Sequence, residues 1–252
     1  MDSSPAIISH ARLDAVVFDL DGVVTQTSSV HAAAWKALFD SYLRTRAAHE
    51  GHDFRAFDEK TDYRLYVDGK PRYDGVRDFL AARGIELPWG QPSDPPGLET
   101  VCGLGNSKNV FFNAEVKEHG IKTYPSTVAL IHRLRKAGMR VGLMSSSKNT
   151  AMILAVTGLT DLFEVRVDGV AGEELGLPGK PDPAMYLETA RRLGVAPARA
   201  AVVEDALAGV EAGRRGGFGL VIGVDRLGQA EELRRHGADV VVKDISEVAF
   251  EK

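Results

Sequence analysis

The stretch Val16-Val17-Phe18-Asp19-Leu20-Asp21-Gly22-Val23 decides the fold of this chain. It closes a short apolar run that is rich in β-branched residues and is stopped by a glycine, a pattern that predicts a buried strand. Because residues two apart face the same side of a strand, Asp19 and Asp21 leave the strand end in the same direction. Open α/β sheets hold their ligands at such ends. Two carboxylates this close repel each other, which indicates a metal site or an acid/base pair.

The composition narrows the functional classes. With 252 residues, 44% hydrophobic and 26% charged, the chain is expected to form one large or two small globular domains. The net charge of −4 gives no long-range attraction for nucleic acid or an anionic membrane, so neither is an expected partner. A lone cysteine, Cys102, excludes an internal disulfide and fits the cytoplasm. No signal peptide or membrane span is expected, and the first dozen residues are predicted to form a loose terminus.

The middle of the chain has helical patterning. Apolar residues recur at helical spacing from about Ser28 to Thr45, and two further helices are predicted near 74–83 and 107–119. The charged segment 44–61 and the proline-rich segment 88–97 are predicted to be loops. No strand with clear alternation occurs between residues 28 and 118, so this block is predicted to be entirely helical.

From Tyr124 onward, strands and helices alternate. The predicted elements are helices at 125–137, 148–156 and 184–193, and strands at 139–144, 162–167 and 200–203, with a Gly-rich turn after 167 and further alternation to Val242. Repeated alternation indicates a parallel sheet with helices on both faces. The helical block is therefore an insertion directly after the first strand, where it can act as a lid. We predict a core domain of residues 1–25 and 120–252 and a cap domain of residues 26–119.

Further polar residues collect at the predicted carboxyl edge of the sheet. Ser145 ends one strand, Glu204 and Asp205 end another, and Lys180 lies in a loop. Alone, the serine and Asp205 are more simply helix N-caps, and the lysine is more simply a solvated loop residue. Their coincidence with the two aspartates of the first strand favours a shared site. Four carboxylates need more positive charge than one lysine supplies, and all-oxygen ligation favours Mg²⁺.

The order of these residues resembles the haloacid dehalogenase superfamily, whose four motifs match, in turn, Asp19-Leu20-Asp21-Gly22-Val23, Ser145, Lys180 within GKPDP, and Glu204-Asp205. The stretches VHAAAWK, YVDGKPRYDGV, LGNSKN, SSSKN, GKPDP and EDALAGVEAG are similar to the β-phosphoglucomutase subfamily, which carries a helical cap after the first motif. The resemblance implies an α/β fold with a Rossmann-like parallel sheet core and an inserted all-helical cap. The chain departs from it in a longer cap and in Gln26, where many relatives have aspartate.

The resemblance also assigns roles. Asp19 would attack a phosphoryl group, with Mg²⁺ bridging its carboxylate and a phosphate oxygen. Asp21 would be the general acid/base and offer its backbone carbonyl to the metal. Asp205 would bind the metal directly, and Glu204 directly or through water. The phosphoryl oxygens would be held by Ser145, Ser146 and Lys180, joined by Lys148 and Asn149.

A mutase must also hold the far phosphate of its sugar. Arg72 matches the cap arginine of the subfamily, and a guanidinium suits a phosphate dianion. Lys108 and Asn109 match its cap lysine and asparagine, and His31 matches a helix position from which it could orient Asp21. The simpler alternatives are a surface arginine for Arg72 and a partly buried histidine on a helix face for His31.

Two functions on this fold stay open. The first is a mutase that interconverts β-glucose 1-phosphate and glucose 6-phosphate and needs glucose 1,6-bisphosphate as activator. The second is a sugar-phosphate phosphatase, for which trehalose 6-phosphate is a candidate. Haloacid dehalogenation and a phospho-accepting receiver domain are weaker alternatives, since the former needs no metal and the latter is about half this length. The expected partner is a small phosphorylated sugar, and the chain is expected to be monomeric.

Overall fold

The computed structural model describes residues 7–251, which form two compact units. One unit contains the chain up to Gln26 and again from Lys122 onward, and the other is the continuous segment Thr27–Ile121. Within residues 7–251, no helix has both the length and the apolar composition needed to cross a bilayer.

The first unit is built on a six-stranded parallel sheet. Its strands are β2 (Ala15–Asp19), β3 (Arg140–Met144), β4 (Val165–Val167), β5 (Ala200–Glu204), β6 (Leu220–Val224) and β7 (Val240–Val242), in the spatial order β4-β3-β2-β5-β6-β7. All five residues of β2 are buried, which explains why this strand reads as an unbroken apolar run. The predicted parallel sheet is confirmed.

The second unit is helical, as predicted. Its helices are α1 (Ser28–Glu50), α2 (Arg72–Ala82) and α3 (Val101–His119), with a π-helical turn at Tyr63–Val67, and residues 28–118 contain no strand. Stacked and tilted aromatic rings form its core, and the centroids of Phe39 and Phe79 are 4.0 Å apart.

Two boundaries in the helical unit were predicted wrongly. The first helix continues five residues past Thr45 to Glu50, so the predicted loop 44–61 is helical in its first part. Ala47 is buried and extends the apolar face, and Arg46 pairs with Glu50 over 2.6 Å. The last helix starts at Val101 rather than near residue 107, because Thr100 Oγ1 accepts a hydrogen bond from Gly103 N at 2.9 Å and caps it.

The helices of the first unit cover both faces of the sheet. They are α4 (Pro125–Lys136), α5 (Thr150–Thr157), α6 (Gly169–Glu174), α7 (Ala184–Leu193), α8 (Leu207–Arg215) and α9 (Ala230–His236). The predicted Gly-rich turn after residue 167 is wrong, because α6 begins there and Asp168 caps it by accepting from Val170 N and Ala171 N at 3.1 Å.

The first dozen residues are not a loose terminus throughout. The first six lie outside the described residues. Strand β1 (Ile7–Ser9) pairs in parallel with β8 (Ala249–Glu251) in a separate two-stranded sheet. This pairing joins the two ends of the chain and could not be read from so short a segment.

Sheet register decides which polar residues meet. Asp19 pairs with Met144 and Phe18 with Val203, so the residues that follow these strands leave the sheet at one edge. Helix α7 lies close to β3, because Gly142 has no side chain and a Cβ there would be 2.9 Å from Thr189 Cγ2. Nearer the start of α7, the Tyr186 hydroxyl donates to Glu204 at the carboxyl edge of the sheet.

Candidate active site

The sheet edge brings together the polar residues that the sequence predicted. Asp19 ends β2, Glu204 ends β5 and Ser145 follows β3, and all three side chains are buried. Asp205 is also buried, directly after β5. Buried polar groups need partners, so the hydrogen bonds among these residues determine what the site can do.

Lys180 lies at the centre of the site. Its Nζ is 2.6 Å from Asp19 Oδ1 and also donates to Glu204 Oε1. Only 4% of the residue is exposed, so the alternative of a solvated loop lysine is wrong. The ammonium therefore compensates two buried carboxylates at once.

Glu204 is held by four donors. Its Oε1 accepts from Lys180 and from the hydroxyl of Tyr186 at 2.9 Å, and its Oε2 accepts from the backbone amides of Asp205 at 2.8 Å and Ala206 at 2.9 Å. The carboxylate thus caps the turn that follows its own strand. These four bonds, all from protein donors, hold the Glu204 carboxylate in one orientation.

The site has the composition of a divalent metal site. One carboxylate oxygen from each of Asp19, Glu204 and Asp205 lies within 4.8 Å of the others. Three carboxylates meet here, and Lys180 bonds two of them, Asp19 and Glu204, with a single positive charge. Hard oxygen donors and this charge fit a divalent cation such as Mg²⁺.

Burial changes the acidity of this cluster. It raises the pKa of the Asp19 carboxyl well above its usual range, while the nearby Lys180 charge opposes the shift. Burial alone would lower the pKa of Lys180, but the charges of Asp19 and Glu204 outweigh it and raise that pKa. Burial, followed by the charge of Glu204, raises the pKa of the Tyr186 phenol, which keeps it a hydrogen-bond donor.

The Asp21 carboxylate is not one of the three that cluster at Asp19, Glu204 and Asp205. Ser145 Oγ is 3.4 Å from Asp21 Oδ2, a long hydrogen bond, and accepts from Ser147 N at 3.1 Å. The alternative of a helix N-cap for Ser145 is wrong, because α5 begins at Thr150 after Asn149 and the bond from Ser147 closes a turn within the loop.

The loop after β3 carries Ser146, Lys148 and Asn149. Lys148 Nζ donates to both carboxylate oxygens of Glu173, at 2.7 and 2.8 Å. Asn149 precedes α5, and its backbone amide donates to Ser147 Oγ at 3.1 Å. The loop packs tightly, since a Cβ at Gly169 would lie 2.5 Å from the carbonyl oxygen of Ser146.

In the helical unit, two pairs of predicted residues meet. Arg72, the first residue of α2, donates from Nη2 to Asn109 Oδ1 at 3.1 Å. Lys108 is buried and hydrogen-bonds His31 Nδ1, and its Nζ lies 4.8 Å from the ring centroid of Phe112. The His31 ring stacks on the same phenylalanine at 4.4 Å.

Three residues of the site were not predicted. Tyr186 lies within the predicted helix 184–193 and Gly209 within the stretch EDALAGVEAG, but neither was expected to have a role in the site. A Cβ at Gly209 would be 1.8 Å from Glu204 Oε1, so only glycine leaves room for that carboxylate. Gln229 donates from Nε2 to the carbonyl oxygen of Asp205 at 3.2 Å. For Tyr186, the available signal was a tyrosine among the apolar residues of a helix, since a buried hydroxyl needs a partner.

Comparison with known proteins agrees with this geometry. The family model of haloacid dehalogenase-like hydrolases matches residues 13–217. A beta-phosphoglucomutase of Mycobacterium bovis is 49% identical over 240 residues, which cover 94% of this chain and 92% of that protein. A trehalose-phosphate phosphatase of Mycobacterium leprae is 39% identical over 127 residues, which cover 49% of this chain and 28% of that protein. The crystal structure of beta-phosphoglucomutase from Clostridium difficile matches with a TM-score of 0.71 and 26% identity, over 93% of this chain and 92% of that one.

The family match spans most of the chain and includes the strand of Asp19, the loop of Lys180 and the turn of Glu204. The helical segment Thr27–Ile121 follows directly after the first of these, as the resemblance implied. The chain therefore belongs to the haloacid dehalogenase-like hydrolase family.

Proposed function

We propose that this protein is a Mg²⁺-dependent phosphoryl-transfer enzyme that interconverts β-glucose 1-phosphate and glucose 6-phosphate through an aspartyl-phosphate. The observation that carries the proposal is the buried ammonium of Lys180 between Asp19 and Glu204, with the Asp205 carboxylate in the same cluster. The beta-phosphoglucomutase from Mycobacterium bovis, 49% identical over nearly its whole length, supports the choice of reaction.

Asp19 is the nucleophile in this proposal. One of its carboxylate oxygens attacks phosphorus, and the bond between phosphorus and the sugar oxygen breaks. Asp21 gives a proton to that leaving oxygen and later takes one from the sugar hydroxyl that attacks the aspartyl-phosphate. Each half-reaction returns Asp21 to the protonation state that the next one needs.

The phosphoryl oxygens are held by the residues around the nucleophile. Lys180, already bonded to Asp19, and the Ser145 hydroxyl donate to them, together with the Ser146 amide and the side chains of Lys148 and Asn149. The Mg²⁺ would be held by Asp19, by Asp205, by the Asp21 carbonyl and, directly or through water, by Glu204. When bound, the metal supplies positive charge that screens the approach of the phosphate to a carboxylate.

The cap contributes the groups that bind the second phosphate. Arg72 has the planar fork that matches a phosphate dianion, and its bond to Asn109 holds it at the start of α2. Lys108 and His31, which are bonded to each other, are further candidates for contact with the sugar phosphate. A phosphatase needs no such group, so these residues favour the mutase.

A sugar-phosphate phosphatase is the second candidate. It is supported by the trehalose-phosphate phosphatase of Mycobacterium leprae, which is 39% identical over about half of this chain. In that reaction, water rather than a sugar hydroxyl attacks the aspartyl-phosphate. The chemistry at Asp19 is the same, so only the products separate the two functions.

The test is an assay with Mg²⁺ and β-glucose 1-phosphate, with and without a trace of glucose 1,6-bisphosphate, that measures glucose 6-phosphate and free phosphate together. Bisphosphate-dependent isomerisation with little free phosphate supports the mutase. Free phosphate without isomerisation, from this sugar or from trehalose 6-phosphate, establishes the phosphatase instead. Activity that survives EDTA contradicts both.

Asp19→Asn tests the nucleophile. We expect the variant to fold and to lose turnover by on the order of 10⁴-fold or more. Asp53→Asn, at an exposed position of the cap, is the matched control and should keep full activity. A folded Asp19→Asn variant with normal Mg²⁺-dependent turnover would overturn the proposal.

We also propose that the enzyme acts as a monomer in the cytoplasm. In support, one chain supplies every proposed catalytic group, and a single cysteine, the buried Cys102, cannot form an internal disulfide. Light scattering on the purified protein would test the first point, and fractionation of the source cells the second.

A further inference from the structure

Arg226 is a partly buried arginine that none of the roles above uses. It follows β6 at the carboxyl edge of the sheet, and only 15% of its side-chain surface is exposed. Removing a guanidinium from water is costly unless its donors are used, so its contacts need an explanation.

The guanidinium joins three segments of the first unit. Its Nε donates to the carbonyl oxygen of Gly22 at 2.8 Å, and its Nη1 donates to the carbonyl oxygen of Lys243 at 3.2 Å. Its Cζ lies 3.6 Å from the ring centroid of Tyr124, and Asp244 Oδ2 is 3.8 Å from Nη1. A stacked guanidinium with two carbonyl acceptors has little freedom to rotate.

The Gly22 contact connects Arg226 to the catalytic turn. Gly22 follows Asp21 directly and has a φ of +85°, which glycine tolerates and other residues rarely adopt. Its amide donates to the Thr25 carbonyl oxygen at 2.8 Å, and Arg226 holds its carbonyl. Both the amide and the carbonyl of Gly22 are thus hydrogen-bonded, which fixes the backbone next to Asp21.

Asp21 depends on this backbone for its position. Its carboxylate accepts from Ser145 Oγ at 3.4 Å, and its main chain continues directly into Gly22, whose carbonyl Arg226 holds. A general acid must lie within hydrogen-bond reach of the leaving oxygen, so a small shift of the turn removes its contribution.

We propose that Arg226 is a positioning residue for the general acid/base Asp21, acting through the carbonyl of Gly22. The inference rests on the proposed function, in which Asp21 protonates the leaving sugar oxygen. It predicts that Arg226 matters only for leaving groups that need a proton.

The experiment compares two phosphoryl donors. In the first, Asp19 attacks the phosphorus of acetyl phosphate, and acetate leaves with the electron pair of the broken bond and needs no proton. In the second, the donor is the sugar phosphate that the wild-type protein turns over, whose leaving oxygen must be protonated. Rapid quench and intact mass measurement give the rate of phosphoenzyme formation from each, with Mg²⁺ present.

For Arg226→Met, the rate from the sugar phosphate should fall about 100-fold, while the rate from acetyl phosphate should change by less than about threefold. Arg234→Met is the matched control, since Arg234 is exposed and pairs with Glu231 on α9, and both of its rates should match the wild type. Equal rate losses with both donors would overturn the inference, because they would mean that Arg226→Met disrupts the site in general. No loss with either donor would also overturn it, because Arg226 would then have no role in the reaction.

A double-mutant cycle separates positioning from structural support. In an Asp21→Asn background the acid is already absent, so Arg226→Met should cost no further rate with the sugar phosphate. An additional loss there contradicts the inference. If Arg226→Met does not fold, Arg226→Lys enters the same cycle, since it keeps the charge and loses the fork.

The proposed function fails in a different way. If Asp21→Asn slows both donors equally or neither, Asp21 is not the acid, and the proposed function is wrong before Arg226 is considered. The same holds if the wild-type protein accepts phosphate from acetyl phosphate but from no sugar phosphate. If Asp21→Asn is selective and Arg226→Met is not, the proposed function stands and the Arg226 inference falls.

Discussion

Gly209 lies so close to Glu204 that a Cβ added to the glycine would be 1.8 Å from Glu204 Oε1. The glycine is in α8 with ordinary helical backbone, so the residue is needed for space rather than for an unusual conformation. The helix that follows β5 thereby approaches the carboxylate that holds Lys180. A side chain larger than hydrogen at position 209 is therefore expected to disturb the site.

Gly209→Ala should damage the site although alanine is the better helix former by about 1 kcal/mol. The new methyl group must displace Glu204 and, with it, the ammonium of Lys180. We expect turnover to fall by about 100-fold and Mg²⁺ affinity, measured by calorimetry, to weaken. Gly213→Ala on the same helix is the control, since its Cβ would meet nothing nearer than 3.3 Å, and its Mg²⁺ affinity should stay normal. Normal Mg²⁺ binding by Gly209→Ala would contradict the prediction.

Lys180→Met should destabilise the metal-free protein by about 3–5 kcal/mol, because it leaves Asp19 and Glu204 buried without a counter-charge. Saturating Mg²⁺ should recover part of the loss by supplying positive charge to the same carboxylates. Denaturant unfolding with and without the metal measures both effects. Lys36→Met removes a partly exposed ion pair with Asp40 and should cost about 1 kcal/mol or less. Equal losses in the two variants would show that Lys180 is not the buried counter-charge.

Tyr186→Phe tests the hydroxyl that supports Glu204. At neutral pH we expect a loss of about 1.5–3 kcal/mol in unfolding free energy, the value of one hydrogen bond to a charged acceptor. Burial raises the pKa of the Tyr186 phenol in the folded protein, while the unfolded phenol ionises near pH 10. The hydroxyl's contribution is therefore complete below about pH 10 and is lost as the pH rises above it. Unfolding curves of the wild-type protein and of Tyr186→Phe, recorded from neutral pH to above about pH 10, measure how the difference in their unfolding free energies shrinks. A stability difference that stays constant, or grows, above about pH 10 would contradict the direction of the shift.

Arg72→Lys tests the binding of the second phosphate. The substitution keeps the charge and removes the planar fork, so KM for the sugar phosphate should rise about 10- to 100-fold, the value of one charge-assisted hydrogen bond. Phosphoenzyme formation from acetyl phosphate has no second phosphate and should not change. Arg77→Lys lies on the same helix, where Arg77 pairs with Asp74 and Asp78 at the surface, and serves as control. An unchanged KM in Arg72→Lys would show that Arg72 does not bind the second phosphate of the sugar.

Several features were predictable because they are encoded between neighbours along the chain. A strand buried on both faces reads as an apolar run, so β2 and its Asp19–Asp21 pair stand out directly. The helix Ala184–Leu193 has the bounds that its apolar spacing predicts. Boundaries failed where polar residues continued a helix, as in Arg46 to Glu50, because charged side chains on an exposed helix face resemble a loop.

The sequence alone determined the class of fold, the order of the motifs and the identity of the charged residues, since periodicity and composition are local properties. Only the tertiary structure decided which of them touch. Lys180 meets Asp19 across 161 positions, and Tyr186 and Gly209 enclose Glu204 from two different helices. These contacts depend on the register of parallel strands and on how closely helices pack on the sheet. Such distances are set by the side chains of many distant residues together, so no single stretch of the chain carries them.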